Sequence, residues 1–409
     1  MRTLLVTGSG GAGRTAVAAA SALRAGRAGA RVVLITADAD AIPARPAFEA
    51  ERRQARQGGP GAEPPGARPQ PADGTPAPDT VLVDGDAFFR TRMASLQARG
   101  AAALDYLGAV PLEDEELTGL AGAQSLAVLH ALAAADASGS YDLAVVDLPP
   151  APQALRLLAL PEQLRRYLAR LLPPQRQAAR ALRPLLAQLA GVPAPAEQLY
   201  DAARRWDETL AAAESAVRAP DVRVRLVVEP GRRAAAELPG LRAALALHGL
   251  ALESVIANRV LPAGSPDPWL AELAASQHRA LKDLGDQAPL YEVPHLGRDP
   301  QTPADLRRLA DALPPDAAAD IRVPGGDPRV DDLLAAEGAL VWCLPLPGAE
   351  REDLGLVRRG DELIVTVGPY RRALPLPPAL RRCVIERAGL HDEELRVRFT
   401  PDPALWPRG

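Results

Sequence analysis

The sequence GSGGAGRT, residues 8–15, directly follows the apolar run TLLVT and precedes a stretch of small residues typical of a packed helix. A buried strand, a glycine-rich loop and a helix in that order place backbone N–H groups around an anion at the helix N-terminus, where the helix dipole favours negative charge. The loop therefore predicts a phosphate-binding site. The alternative is a glycine-rich turn without a ligand.

Two phosphate-binding motifs overlap in this loop. Gly8, Gly10 and Gly13 fit the dinucleotide fingerprint G-x-G-x-x-G, and Asp38 at the end of the next strand is placed to hold a ribose hydroxyl. The same loop fits the P-loop pattern G-x-x-x-x-G-K-[ST], with Arg14 in the place of the lysine. The loop alone leaves open both an NAD(P)-binding oxidoreductase and a P-loop nucleotide-binding protein.

The composition excludes several classes of protein. A net charge of -4 over 409 residues gives no global field that would attract nucleic acid or an anionic membrane, so no nucleic-acid partner is expected. Cys343 and Cys383 lie far apart, which excludes a disulfide scaffold and a CxxC zinc site and fits a reducing cytoplasm. The apolar runs are too short for a signal peptide or a transmembrane helix. We therefore expect a cytoplasmic protein.

Strand-like and helix-like runs alternate along residues 1–319, which predicts an α/β domain with a mostly parallel sheet. Two segments within it differ from this pattern. A Pro/Gly/Gln/Arg-rich stretch at about residues 49–79 is predicted to be a disordered loop, and residues 155–218 are predicted to be a helical insertion. The predicted strands cover residues 3–7, 31–38, 80–84, 141–150, 224–230, 252–260 and 289–294.

Residues 320–409 show short strands separated by turns, which predicts a small antiparallel β-sandwich. A linker-like Pro/Asp/Ala-rich stretch precedes it, so we expect the sandwich to fold independently and to take no part in nucleotide contact. The arginines of this region are predicted to lie on edge strands, where they would discourage unwanted strand pairing. They are Arg371, Arg372, Arg396 and Arg398.

Four further stretches occupy the positions of known motifs around the loop. GSGGAGRT itself is similar to GKGGVGKT, and VVLITADAD stands at the position of a switch I segment. YDLAVVDLPPAPQALRLLALPE follows a switch II pattern, VIANRVLP matches a base-recognition strand end, and PHLGRDP falls at a second adenine-facing loop. In this order the chain resembles the arsenite-pump and tail-anchored-protein-targeting ATPases, a deviant Walker A group, and is predicted to be a bacterial relative of them. The last 80 or so residues resemble the α-crystallin-type sandwich of some members, and the oxidoreductase becomes a distant alternative.

The resemblance implies ATP and Mg²⁺ as cofactors and a role for each site residue. Thr15 would hold Mg²⁺, Asp147 would contact the ligands of the metal without binding it directly, and Asn258 would recognise adenine. Asp38 would orient the attacking water and is assigned, with Arg14, a catalytic role. The resemblance also admits a homodimer and a protein client. The residues implied to wrap the phosphates are Gly8, Gly10, Gly11, Gly13 and Arg14.

Three departures from the family pattern affect turnover more than binding. Ser9 replaces the signature lysine, Arg14 replaces the P-loop lysine, and Pro152 replaces a switch II glycine. Serine has no charge, arginine is not equivalent to lysine in an enclosed site, and proline has no N–H. One lost electrostatic clamp costs about three orders of magnitude in rate, whereas backbone amides still bind phosphate. We predict a nucleotide-dependent switch with slow or absent hydrolysis; the alternative is a pseudo-ATPase scaffold that binds protein partners without nucleotide.

Overall fold

The computed structural model describes residues 1–38, 78–99, 101, 109–171, 195–314 and 328–406. The predicted disordered loop at 49–79 lies outside the described residues up to position 77, and a strand begins at Asp79. The predicted boundary near residue 320 also lies outside them, so the division into domains 1–319 and 320–409 stays a prediction.

A seven-stranded parallel sheet forms the α/β part, with strand order β3-β2-β4-β1-β5-β6-β7. Strands β1, β2 and β4 are buried over nearly their whole length, as their continuous Val, Leu and Ile runs require, whereas the edge strand β3 is exposed. The predicted α/β class is therefore confirmed. The strands are β1 Arg2–Gly8, β2 Val32–Thr36, β3 Asp79–Leu82, β4 Leu143–Asp147, β5 Val222–Val228, β6 Ala251–Val260 and β7 Leu290–Pro294.

The helices of the α/β part are α1 Arg14–Arg27, α2 Gly85–Arg99, α3 Ala123–Ser138, α4 Ala151–Leu171, α5 Pro195–Arg218, α6 Arg232–Leu247, α7 Pro268–Gly285 and α8 Pro303–Ala312. A 3₁₀ turn at Asp114–Glu116 precedes α3. By contacts the chain divides into two compact units. The first comprises Met1–Thr3, Ala25–Asp147 and Arg156–Pro220, and the second comprises Leu4–Arg24, Leu148–Leu155 and Asp221–Gly409.

In the first unit, ion pairs join helices α4 and α5, which occupy the described part of the predicted helical insertion. Arg165 binds Asp207 at 3.0 Å and Glu214 at 2.7 Å, and Arg218 binds Glu162 at 2.5 Å. These partly exposed ion pairs join the two amphipathic helices at three points.

The C-terminal region of the second unit consists of two antiparallel sheets, β10-β11-β12 and β13-β14-β9-β8. Trp342, Val365 and Phe399 lie at the centre of their apolar core, which confirms the predicted sandwich. The strands are β8 Arg329–Leu333, β9 Ala339–Pro345, β10 Leu354–Arg359, β11 Glu362–Val367, β12 Tyr370–Pro375, β13 Cys383–His391 and β14 Glu394–Pro401. Short helices α9 Leu334–Glu337 and α10 Pro378–Arg381 and a 3₁₀ turn at Arg351–Asp353 connect them.

The sandwich shares its apolar core with helix α6 of the same unit. Ala243, Ala246 and Leu247 of α6 belong to the cluster that contains the sandwich core. The buried guanidinium of Arg372 donates from Nη1 to the Leu247 carbonyl oxygen at 2.7 Å. Gly348 (φ 80°) lies so close to α6 that a Cβ there would be 2.6 Å from the Pro239 carbonyl oxygen. The predicted independent folding of the sandwich therefore leaves out the part of its core that α6 supplies.

The arginines predicted on edge strands have different outcomes. Arg371 and Arg372 lie on β12, which is an edge of its sheet, although the Arg372 side chain is buried against α6. Arg396 and Arg398 lie on β14, which pairs with both β13 and β9, so the prediction was wrong for them. Their alternation of charged and apolar residues is typical of any strand with one solvated face, whether central or edge.

Candidate functional site

The glycine loop joins β1, which ends at Gly8, to α1, which begins at Arg14. Gly8, Gly11 and Gly13 have φ values of 147°, 79° and 83°, a conformation that favours glycine over residues with a Cβ. At Gly8 the backbone of β5 is also very close, because a Cβ would lie 1.9 Å from the Val227 carbonyl oxygen. The strand–loop–helix geometry predicted from the sequence is present.

Gly10 differs from these three glycines. Its φ is outside the left-handed region, and the nearest atom to a Cβ at this position would be Pro150 Cγ at 3.9 Å. Neither backbone strain nor packing against the described residues therefore requires glycine here. A residue without a side chain at this point leaves room over the loop for a ligand.

The hydrogen bonds of the loop leave several donors available. Ser9 N–H donates to the Val227 carbonyl oxygen at 3.0 Å. Within the described part of the chain, the N–H groups of Gly10, Gly11 and Gly13 donate to no protein acceptor. Three backbone donors within four residues, directly before a helix, form the kind of concave N–H surface that binds phosphate.

Arg14, the residue in the lysine position, makes a contact with the backbone. Its guanidinium donates from Nη1 to the Leu148 carbonyl oxygen. The same segment is bound to β1, because Leu148 N–H donates to the Val6 carbonyl oxygen at 2.9 Å and the Thr7 hydroxyl donates to the Pro149 carbonyl oxygen at 2.7 Å. Arg14 thus helps to hold residues 148–150 beside the loop. Thr15, the predicted Mg²⁺ ligand, lies in the first turn of α1.

The two predicted aspartates belong to the first unit and are joined through a hydroxyl. Asp38 follows β2 and is exposed, and Asp147 ends β4 and is buried. Thr36 Oγ1 donates to Asp147 Oδ2 at 2.9 Å and accepts from Asp38 N–H at 3.1 Å. Because β2 and β4 pair in parallel, both carboxylates lie at the carboxyl edge of the sheet, where open α/β sheets bind ligands.

Asn258 lies beside the glycine loop in the second unit. Its buried amide donates from Nδ2 to the Ala12 carbonyl oxygen at 2.8 Å. A Cβ on Gly13 would be 2.5 Å from the same Nδ2 atom, so the two residues pack closely. The contact shown is with the loop itself, and recognition of adenine by Asn258 stays a prediction.

Sequence reasoning missed Arg259, the next residue. Its guanidinium donates from Nη1 to the Gly11 carbonyl oxygen and from Nη2 to Asp299 Oδ1, both at 2.9 Å. The sequence signal is the pair Asn258-Arg259 in VIANRVLP, the predicted base-recognition strand end, where a role is predicted for Asn258 alone.

Two family models match the chain. The model described as anion-transporting ATPase matches residues 1–54 and 94–313, and the model described as an HSP20-like domain found in ArsA matches residues 337–399. Within the described ranges, no helix combines the length and the apolar character needed to cross a membrane. No cluster of three or more His, Cys, Asp or Glu residues suited to a metal ion occurs among those residues either.

Several curated proteins are similar over much of the chain. Uncharacterized protein SCO2128 of Streptomyces coelicolor is 50% identical over the full length of both chains. Protein Rv2184c of Mycobacterium tuberculosis is 33% identical, covering 72% of this chain and 71% of its own. Putative arsenical pump-driving ATPase 1 of Aquifex aeolicus is 24% identical, covering 97% of this chain and 99% of its own.

Proposed function

Because the chain belongs to the anion-transporting ATPase family, we propose that it binds ATP with Mg²⁺ and acts as a nucleotide-dependent switch that hydrolyses ATP slowly or not at all. One relative bears the name of an arsenical pump-driving ATPase, which supports ATP as the nucleotide. A cytoplasmic location, a homodimer and a protein client belong to the same proposal and rest on the family resemblance.

The observation that carries the proposal is the arrangement of polar groups in the glycine loop. The N–H groups of Gly10, Gly11 and Gly13 donate to no described protein acceptor, whereas the carbonyl oxygens of Gly11 and Ala12 accept from Arg259 and Asn258. The loop therefore offers donors without competing protein acceptors for them. This arrangement fits a chain of phosphates at the N-terminus of α1.

Mg²⁺ would supply charge neutralisation between phosphate oxygens, and it prefers oxygen ligands with few of them from the protein. Thr15 offers one such oxygen in the first turn of α1. The phosphates would be wrapped by the loop glycines, including Gly8, and by Arg14. Asp38 would orient a water, and the buried Asp147, held by the Thr36 hydroxyl, would fix the position of neighbouring waters or metal.

Slow hydrolysis is supported by the environment of the P-loop cation. The Arg14 guanidinium donates to the Leu148 carbonyl oxygen, so in this conformation part of its hydrogen-bonding capacity serves the backbone. Ser9 carries no charge that could substitute. Pro152 lies in the first turn of α4, where proline favours helix initiation but provides neither an N–H nor the freedom of a glycine.

The second candidate function is the scaffold without nucleotide. The Arg14–Leu148 contact favours it, because the loop cation then has a structural role that persists without phosphate. The third candidate, an NAD(P)-binding oxidoreductase, is supported only by the G-x-G-x-x-G fingerprint of the loop.

Calorimetric titration of the purified protein with Mg·ATP, Mg·ADP and NAD separates these functions. We expect the adenine nucleotides with Mg²⁺ to bind and NAD not to bind. Gly10→Val is the matched variant, because it fills the space over the loop while its Cβ has no neighbour closer than 3.9 Å. It should keep the melting temperature and lose nucleotide affinity. A wild type that binds none of the three ligands would support the scaffold, and binding of NAD alone would support the oxidoreductase.

A further inference from the structure

We propose that Arg259 is a positioning residue that holds the glycine loop in its phosphate-binding shape and couples it to the segment around Asp299. The proposal rests on the proposed function for its nucleotide readout. Its structural part concerns only the loop, β6, α7 and the segment before α8, all in the second unit.

The backbone of Arg259 adopts a conformation that few residues other than glycine tolerate. Its φ is 62°, and the other non-glycine residues with positive φ in the described ranges are Asp392 and Glu393. Those two form the hairpin turn between β13 and β14, where such values are ordinary. Arg259 instead lies within β6, where a left-handed residue is strained and persists only if its surroundings hold it.

A β-bulge explains the position of this residue. The pairing of β6 with β7 shifts its register between Ala257 and Val260, so Asn258 and Arg259 fall outside the regular ladder. In a regular strand two consecutive side chains point to opposite faces of the sheet. The bulge redirects them, and both side chains donate to the glycine loop, one to Ala12 and the other to Gly11.

A buried amide from helix α7 stabilises the bulge. Gln277 accepts from Leu261 N–H at 2.9 Å and donates from Nε2 to the Arg259 carbonyl oxygen at 3.3 Å. One buried side chain thus satisfies a donor and an acceptor that the interrupted ladder leaves available. Helix α7 therefore helps to hold the strained backbone of Arg259, because Gln277 binds its carbonyl oxygen.

The charges around Arg259 indicate that it acts through geometry. Its guanidinium lies 2.9 Å from Asp299 and 3.8 Å from Glu229, so two carboxylates balance one cation. The net attraction for phosphate from this group is therefore small. The neighbouring Arg298 binds Asp305 at the start of α8 at 2.9 Å, which ties the Asp299 segment to that helix. A movement of the loop at Gly11 would reach α8 through this series of contacts.

Arg259→Gly tests the proposal, because glycine keeps the left-handed backbone and removes the side chain that carries the guanidinium. We expect an unchanged or higher melting temperature, since the strain is relieved, together with an about tenfold or greater loss of Mg·ATP affinity. A residue that merely supported the fold would instead lower the melting temperature. Arg396→Gln is the matched control, because it removes a guanidinium that pairs with Glu394 in the sandwich and not with the loop; it should keep wild-type affinity.

Amide hydrogen exchange in the protein without ligand tests the same residue independently of nucleotide. The Ser9 and Ala12 N–H groups, which bond to the Val227 and Ser9 carbonyl oxygens, should exchange at least several-fold faster in Arg259→Gly. Asp299→Asn, which changes only an exposed side chain, should show a smaller effect in the same direction.

The outcomes distinguish this proposal from the proposed function. Faster exchange with no nucleotide binding by the wild type would support the positioning role and refute the nucleotide switch. Weaker Mg·ATP binding with unchanged exchange would mean that Arg259 contacts the nucleotide directly, which would overturn the positioning role. Unchanged exchange with unchanged affinity would overturn it as well.

Discussion

Replacing Gly13 by alanine should destabilise the protein through two separate effects in the loop. Gly13 has φ 83°, and a residue with a Cβ in that conformation costs about 1–2 kcal/mol. Its Cβ would also lie 2.5 Å from Asn258 Nδ2. Asn258 would have to give up its 2.8 Å bond to Ala12, and leaving such buried groups unpaired costs about 1–3 kcal/mol.

The two effects together amount to roughly 2–5 kcal/mol, and each kcal/mol lowers the melting temperature of a unit of this size by about 2–4 °C. We therefore expect Gly13→Ala to melt at least about 4 °C below the wild type in circular dichroism. Gly10→Ala is the matched control, because its Cβ has no neighbour closer than 3.9 Å, and it should melt within about 2 °C of the wild type.

Adding Asn258→Ala to Gly13→Ala removes the clash but not the backbone strain, so the double variant should be less destabilised than the sum of the two single variants. If Gly13→Ala had the same melting temperature as Gly10→Ala, the close packing of Asn258 over the loop would be refuted. Strict additivity in the double variant would refute the steric part of the argument.

The other predictions concern turnover, the C-terminal region and pH. Phosphate release should stay near background, and Ser9→Lys with Arg14→Lys should raise it; wild-type turnover of about one per second or more would contradict slow hydrolysis. A chain ending at Leu313 should expose the face of α6 that the sandwich covers, and exposure of Leu247 alone costs about 2 kcal/mol. This chain should therefore have a lower melting temperature than the full chain. The sequence alone, which predicts an independent sandwich, predicts no such loss. The Thr302 hydroxyl, foremost among several hydrogen bonds, lowers the pKa of Asp305 to about 2, so the stabilisation from its carboxylate is present above about pH 4 and is lost as the pH falls towards 2. Thermal melts of Asp305→Asn across this range should show a weaker dependence on pH than the wild type, and equal slopes would contradict this assignment.

The parts of the fold that the sequence predicts well depend on local signals. The apolar runs of β1, β2 and β4 are continuous, and glycine, proline or aspartate follows or ends each strand of the sheet, so the predicted bounds differ from the observed ones by a few residues. At 31–38, for example, the strand itself is Val32–Thr36. The positions of Asp38 and Asp147 after β2 and β4 follow from the same reasoning, because neighbouring parallel strands bring their carboxyl ends to one edge.

The features that the sequence does not predict depend on contacts between distant residues. Arg372 and Leu247 are 125 positions apart, and a β-strand pattern is the same whether a helix or water covers its outer face. The strained conformation of Arg259 depends on Gln277 of another helix, and no periodic pattern along the chain indicates it. One local signal was available for α6, since the run AALAL is buried on all sides and a helix without a polar face has to be covered.

Helix α6 also has a consequence for engineering by exchange of parts between relatives. Its residues Ala243, Ala246 and Leu247 complete the core of the sandwich, while the helix remains covalently part of the α/β chain between β5 and β6. A graft of residues 328–406 from a relative would therefore meet a foreign helix surface. The transferable unit is the sandwich together with the face of α6 that it covers, so chimeras should be designed with both segments from the same parent.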